Sequence, residues 1–217
     1  APPSLIQTLE DIMIRTATIA ISLAGFSSAA LSQNFSLTLV PSAQTIDTSG
    51  GAATVTVTVI GDADVGDYLL NGSFGIESTS ASVIDMQWEP ADWSQFNDDG
   101  GHAGDGNYNQ VIFGQLLANF FPPPDSSLFG NPIGAFQVTF AEGSIGSVDM
   151  SLVEGMPYTL STIAWPSLDE YESSDGNLSL NGTTLTLVPS PGAASLLAFA
   201  GAVGARRRRG FRQRSTA

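Results

Sequence analysis

Thr54-Val55-Thr56-Val57-Thr58-Val59 alternates two β-branched residue types without a break. Branching at Cβ stiffens χ1 and suits a pleated surface better than a helical turn. A strand sends successive side chains to opposite faces, so the valines share one side and the threonines the other. The segment therefore predicts a sheet with Val55, Val57 and Val59 facing a core and Thr54, Thr56 and Thr58 facing outward. An apolar sheet face has to be covered by a second layer.

The same rhythm recurs along the chain. Phe35–Val40 alternates with period two, and further strands are predicted at Tyr68–Ile76, Ser82–Trp88, Tyr108–Leu116, Ala135–Phe140, Ser147–Leu152, Tyr158–Ala164, Leu178–Leu180 and Thr184–Val188. Turn signals separate them: Ser49-Gly50-Gly51, Gly61-Asp62, Asp99-Gly100-Gly101, Pro122-Pro123-Pro124 and Asp175-Gly176. Asn181-Gly182 reads as a two-residue hairpin turn, because both residues tolerate positive φ. Asn71-Gly72 interrupts a strand-like run as a turn or a bulge. Leu116–Phe121 reads as a helical turn ahead of the three prolines. About ten short strands predict an all-β chain, an antiparallel β-sandwich of jelly-roll or immunoglobulin/cohesin-like type. Its strand rhythm weakly resembles the cohesin-like and carbohydrate-binding sandwiches of exported bacterial proteins.

Both ends read as targeting segments. Residues 1–12 read as an upstream extension. From Met13, Arg15 supplies a positive start, Ile19–Phe26 an apolar stretch, and Ala30-Leu31-Ser32 small residues for cleavage before Gln33, with Ala30 as a second cut point. The signal is thus residues 13–32 and the sandwich 33–187. At the other end, Val188-Pro189-Ser190-Pro191 leads into the small and apolar run Gly192–Ala205, which Arg206, Arg207, Arg208 and Arg209 close, and a basic tail follows over 210–217. Arginines beside a short apolar helix stay on the cytoplasmic side and stop translocation. At 1.5 Å per residue the run spans about 21 Å, short of a bilayer core of about 30 Å, which suits a transient anchor.

Residues 188–209 resemble a PEP-CTERM sorting signal: a Pro-Glu-Pro-like motif, an apolar helix and a basic cluster. Ser190 stands where the family's usual form has Glu. The resemblance implies cleavage by an exosortase, a transpeptidase-like membrane protease. It also implies a bacterium that makes exopolysaccharide or biofilm, while the N-terminal signal gives the expectation of Sec-type export. The sandwich is then flanked by an N-terminal signal helix and a C-terminal hydrophobic helix.

Charge narrows the partners. The chain has 21 Asp and Glu, no Lys, and no basic residue between Thr16 and Ala205. Such a domain repels nucleic-acid phosphates and anionic lipid, so no nucleic-acid partner is expected. Divalent cations and neutral sugars remain. The absence of Cys excludes disulfides and thiolate metal sites.

One long insertion, Glu89–Asn107, concentrates the candidate chemistry. Asp98, Asp99 and Asp105 sit among glycines, a composition that suits Ca²⁺, which takes six to eight oxygens, or else a flexible acidic loop. Asp62, Asp64 and Asp67 form a second acidic group, better read as a polar turn. His102, the only histidine, lies near Asp99 and Asp105 and could complete a dyad or sit idle on the surface. Trp88 and Trp93 flank Glu89-Pro90 as a sugar-stacking platform or as core residues. Motifs for a nucleophile elbow, a zinc protease or a P-loop are missing. Paired carboxylates of a glycosidase are not excluded by sequence, but there is no Arg or Lys to orient them. The expected function is that of a non-enzymatic, exported cell-surface or matrix protein, with a secreted carbohydrate-binding module as the alternative and a glycoside hydrolase behind it.

Overall fold

The computed structural model describes residues 32–116 and 122–188. Thirteen strands form two sheets: β1 (Asn34–Pro41), β2 (Thr45–Asp47), β3 (Ala53–Ala63), β4 (Tyr68–Ser78), β5 (Val83–Pro90), β6 (Phe96–Asp99), β7 (Tyr108–Gly114), β8 (Pro132–Phe140), β9 (Gly146–Glu154), β10 (Ser161–Ile163), β11 (Glu170–Glu172), β12 (Asn177–Asn181) and β13 (Thr183–Val188). One sheet runs β12-β1-β3-β8-β5; the other runs β11-β10-β4-β9-β13-β2, with β7 on β4 and β6 on β7. The expected sandwich is therefore present. The signal helix, Pro189 to Pro191, the apolar run, the arginines and residues 117–121 lie outside the described residues.

The alternation works as expected. Val55, Val57 and Val59 are buried, while Thr54 is exposed and Thr56 and Thr58 are half-buried. On the outer face Thr56 Oγ1 donates to Gln137 on β8 at 3.0 Å. Phe136 on β8 lies at the centre of the core, with ring centroids 4.7 Å from Trp88, 4.9 Å from Tyr108 and 6.2 Å from Phe74. Edge-to-face and tilted contacts of this kind add to what area burial alone contributes.

Several local expectations change. Two pairings are parallel, β1 with β12 and β13 with β2, so the sandwich is not purely antiparallel. Asn181-Gly182 makes no hairpin: β12 pairs in one sheet and β13 in the other, and the dipeptide carries the chain between layers. Gly is needed there for close approach, since a Cβ at Gly182 would lie 2.4 Å from the Met150 carbonyl oxygen. Gly61-Asp62 is not a turn but part of β3, where Gly61 admits the side chains of Ile133 and Leu69. The irregularity near Asn71-Gly72 falls one residue earlier. β10 pairs Ser161 with Asn71 and Thr162 with Leu69, so Leu70 is passed over, and Leu69 and Leu70 are both buried. Strands β2, β6 and β11 lack an apolar alternation long enough to signal them; neighbouring strands hold them.

Candidate functional site: a groove on the larger sheet

Strand β4 pairs with β7 along one edge; β9 and then β10 share the other. Between β9 and β10 the chain leaves the sheet line at residues 155–160. Polar contacts fix this flap. The Ser73 hydroxyl lies 3.0 Å and 3.1 Å from the carbonyl oxygens of Met156 and Tyr158. Its backbone N–H donates to Thr159 O at 3.2 Å. Gln110 Nε2 on β7 donates to Met156 O at 2.8 Å. The carbonyls of Met156, Tyr158 and Thr159 thus find donors that a continuous strand would have supplied.

The flap forms one wall of a groove of about 280 Å³. Met156, Pro157 and Tyr158 line it from the flap, Ser73 from β4, Ile112 and Gly114 from β7, and Phe96 from β6, together with Leu116. Met156 is 74% exposed, Phe96 54% and Leu116 55%. Among the described residues eight large apolar side chains are exposed, and these three line the same groove. Apolar residues scattered singly over a surface need no explanation, whereas a contiguous group marks a contact site.

Carboxylates flank the groove. Asp98 sits two residues beyond Phe96 on β6, hence on the same strand face. Glu154 directly precedes the flap. Burial, followed by the charges of Glu170 and Glu172, raises the pKa of the Tyr158 phenol above its ordinary value. From Gln33 to Val188 there is no Lys or Arg to neutralise these charges.

The acidic insertion is organised differently from a cation site. Asp98 and Asp99 are consecutive on β6, opposite Ile112 and Val111 of β7, so their side chains leave opposite faces. Asp99 Oδ1 accepts from the Tyr108 hydroxyl at 2.6 Å and from Gly101 N–H at 2.9 Å. Asp105 Oδ1 accepts from Asn107 N–H at 3.0 Å, the main cause of its lowered pKa. No group of three or more metal-ligating side chains converges among the described residues. The three carboxylates expected to take Ca²⁺ do not converge here: Asp99 and Asp105 each hold a turn through a backbone N–H, and Asp98 leaves the opposite face of β6. His102 is not set up as a general base, because its Nε2 already accepts Gly106 N–H at 3.2 Å. Asp64 and Asp67 tie distant segments together, accepting the backbone N–H groups of Asn34 and Trp165, each at 2.7 Å.

Trp88 and Trp93 take core places, the other reading of them. Trp88 is 7% exposed and packs edge-on to Phe74 at 5.5 Å; Trp93 is 3% exposed and donates its indole N–H to Pro132 O at 2.9 Å. A sugar needs an open ring face, and both rings are inside. The alternation of β5 turns Trp88 inward with Met86, and nothing short of the sheet pairing reveals that.

Tyr108 gives the insertion a pH signature. Burial, then the hydrogen bond to Asp99, raises its phenol pKa well above the ordinary tyrosine value. The folded state therefore holds the proton more tightly than the unfolded chain. This stabilisation is fully present below about pH 10, the unfolded value, and is lost as pH rises through the folded pKa. Tyr108→Phe is expected to cost about 1 kcal/mol at pH 7, since Asp99 stays solvated and keeps its Gly101 donor. It should also flatten the decline in stability above pH 10. Urea unfolding of both proteins at pH 7, 9 and 11 measures this; equal slopes against pH would contradict it.

Neither a family model nor a curated protein matches the chain. Among solved structures, cohesin modules are similar to it. The seventh ScaB type I cohesin of Pseudobacteroides cellulosolvens is 12% identical, with a TM-score of 0.45 over 73% of this chain and 93% of that one. A cohesin module from the family 33 glycoside hydrolase of Clostridium perfringens is 9% identical, with a TM-score of 0.44 over 73% of this chain and 98% of that one. The second type II cohesin of the ScaA scaffoldin of Acetivibrio cellulolyticus is 9% identical, with a TM-score of 0.46 over 74% and 99%.

Proposed function

We propose that this chain is an exported, non-catalytic surface or matrix protein whose sandwich docks another protein in the groove beside the flap. The observation that carries the docking is the meeting of Phe96, Leu116 and Met156 in one groove. The partner is a protein segment with an apolar anchor side chain flanked by Lys or Arg. The anchor matches the groove, and the bases match Asp98, Glu154, Glu170 and Glu172 in a domain with no cation of its own. Export and sorting rest on the terminal segments. One feature of the sandwich supports the expected cut: β1 starts at Asn34, one residue beyond it. Val188 belongs to the sheet, with its carbonyl accepting Thr48 N–H at 3.2 Å. Cleavage beyond it would leave the fold whole.

The test is localisation in the native host. Deleting residues 192–217 should abolish any membrane-bound precursor and release the domain. Phe96→Asp with Met156→Asp should leave processing and melting temperature unchanged but shift mature protein from the surface to the medium. Both side chains are already exposed, so the change falls on the contact and not on the core. Unchanged retention of the double variant overturns the docking. Mature protein that still carries Phe211–Ala217 overturns the sorting.

A further inference from the structure

We propose that Gln33 is a modification site: once it becomes the N-terminus it closes on itself to pyroglutamate. The inference rests on export with cleavage before Gln33, and adds a reaction that the cut sets off.

The sheet fixes the folded edge at this residue. Gln33 O accepts Asn177 N–H at 2.7 Å, and Asn34 N–H donates to Asp64 Oδ1 at 2.7 Å. Gly176 packs so closely that a Cβ there would lie 2.4 Å from Gln33 O. Trimming from the N-terminal side therefore meets hydrogen-bonded backbone at Gln33. The side chain is less well placed. Gln33 Oε1 is buried without a hydrogen-bond partner, an arrangement that favours any rearrangement moving it.

The chemistry needs only the residue itself. An α-amine titrates near about pH 7.7–8.0, so a share is neutral and nucleophilic at neutral pH. The amine nitrogen attacks Cδ, a C–N bond closes a five-membered lactam, and the Cδ–Nε2 bond breaks. The side-chain nitrogen leaves as ammonia, carrying the proton given up by the α-nitrogen. No oxidant or co-reactant enters. Ring closure draws Cδ and its oxygen back toward the main chain, and it spares the carbonyl that Asn177 holds. The new N-terminal ammonium would be the only non-histidine cation in the domain, and cyclisation removes it. The product has no free amine for an aminopeptidase to grip.

The sequence makes the test unusually clean. The chain has no Lys, so an amine-reactive label on the intact protein has one target, the N-terminus. Mature protein from the native host should take up no label. Its intact mass should be one ammonia below that of the chain starting at Gln33, and pyroglutamyl aminopeptidase should expose Asn34. Gln33→Ser cannot form this ring and should take up one label per chain. A labelled wild-type Gln33 overturns the cyclisation while leaving export intact. A first residue other than Gln33 overturns both the cyclisation and the expected cut.

Discussion

Phe136→Ala should lower the unfolding free energy by about 3–5 kcal/mol, the range for a large buried aromatic cut back to a methyl. Phe136 is fully buried and touches three other rings, Trp88, Tyr108 and Phe74, so its loss leaves a cavity bounded on several sides. Those rings come from β5, β7 and β4, and each is held by its own strand pairing. The site cannot collapse without moving both sheets, which places the cost at the upper end. Since whole domains are stable by only about 5–15 kcal/mol, this single change should remove a large share of the margin. The urea midpoint should fall with the slope unchanged. Phe136→Leu, which fills most of the volume, should cost much less. A midpoint shift below about 1 kcal/mol for Phe136→Ala would mean that the two sheets do not meet through this ring.

Gly155→Val should destabilise by about 3 kcal/mol, at the high end of overpacking, and disrupt the groove. A Cβ at Gly155 would lie 2.2 Å from both the carbonyl oxygen and the hydroxyl oxygen of Ser73. One of these atoms is backbone in the central strand, so the flap and not the sheet has to move. Moving it separates the Ser73 hydroxyl from the Met156 and Tyr158 carbonyls and carries Met156 away from Phe96 and Leu116. Gly50 provides the control, because no atom lies within 4 Å of a Cβ placed there. Gly50→Ala should stay within about 0.5 kcal/mol of the parent. Equal behaviour of the two variants in thermal unfolding would show that the flap does not pack against β4 as described.

The part of the fold legible in the sequence is the part governed by period and turn chemistry. β3 and β8 are long, alternate cleanly and bury one face, so their existence and facing follow from local pattern alone. Shorter strands carry no such signal. Glu170–Glu172 is too polar and too brief to be a strand by itself, and only pairing with β10 makes it one. The site divides the same way. Acidic and aromatic residues near Glu89–Asn107 attract attention because their types are chemically suggestive. β5 then turns Trp88 inward, the loop after it buries Trp93, and β6 separates Asp98 from Asp99 on opposite faces.

By itself, then, the sequence determined an all-β sandwich, the facing of its valine and threonine rows, and a domain without cations. Each follows from residue type or from spacing within one segment. Tertiary structure alone decided the parallel clasp of β12 on β1 and β13 on β2, the crossing at Asn181-Gly182, and the groove. Phe96, Leu116 and Met156 come from separate parts of the chain, and no local period relates them. They meet because β6 pairs with β7, β7 pairs with β4 and the flap bonds to Ser73 of β4, and that pairing is chosen by the packing of the whole core.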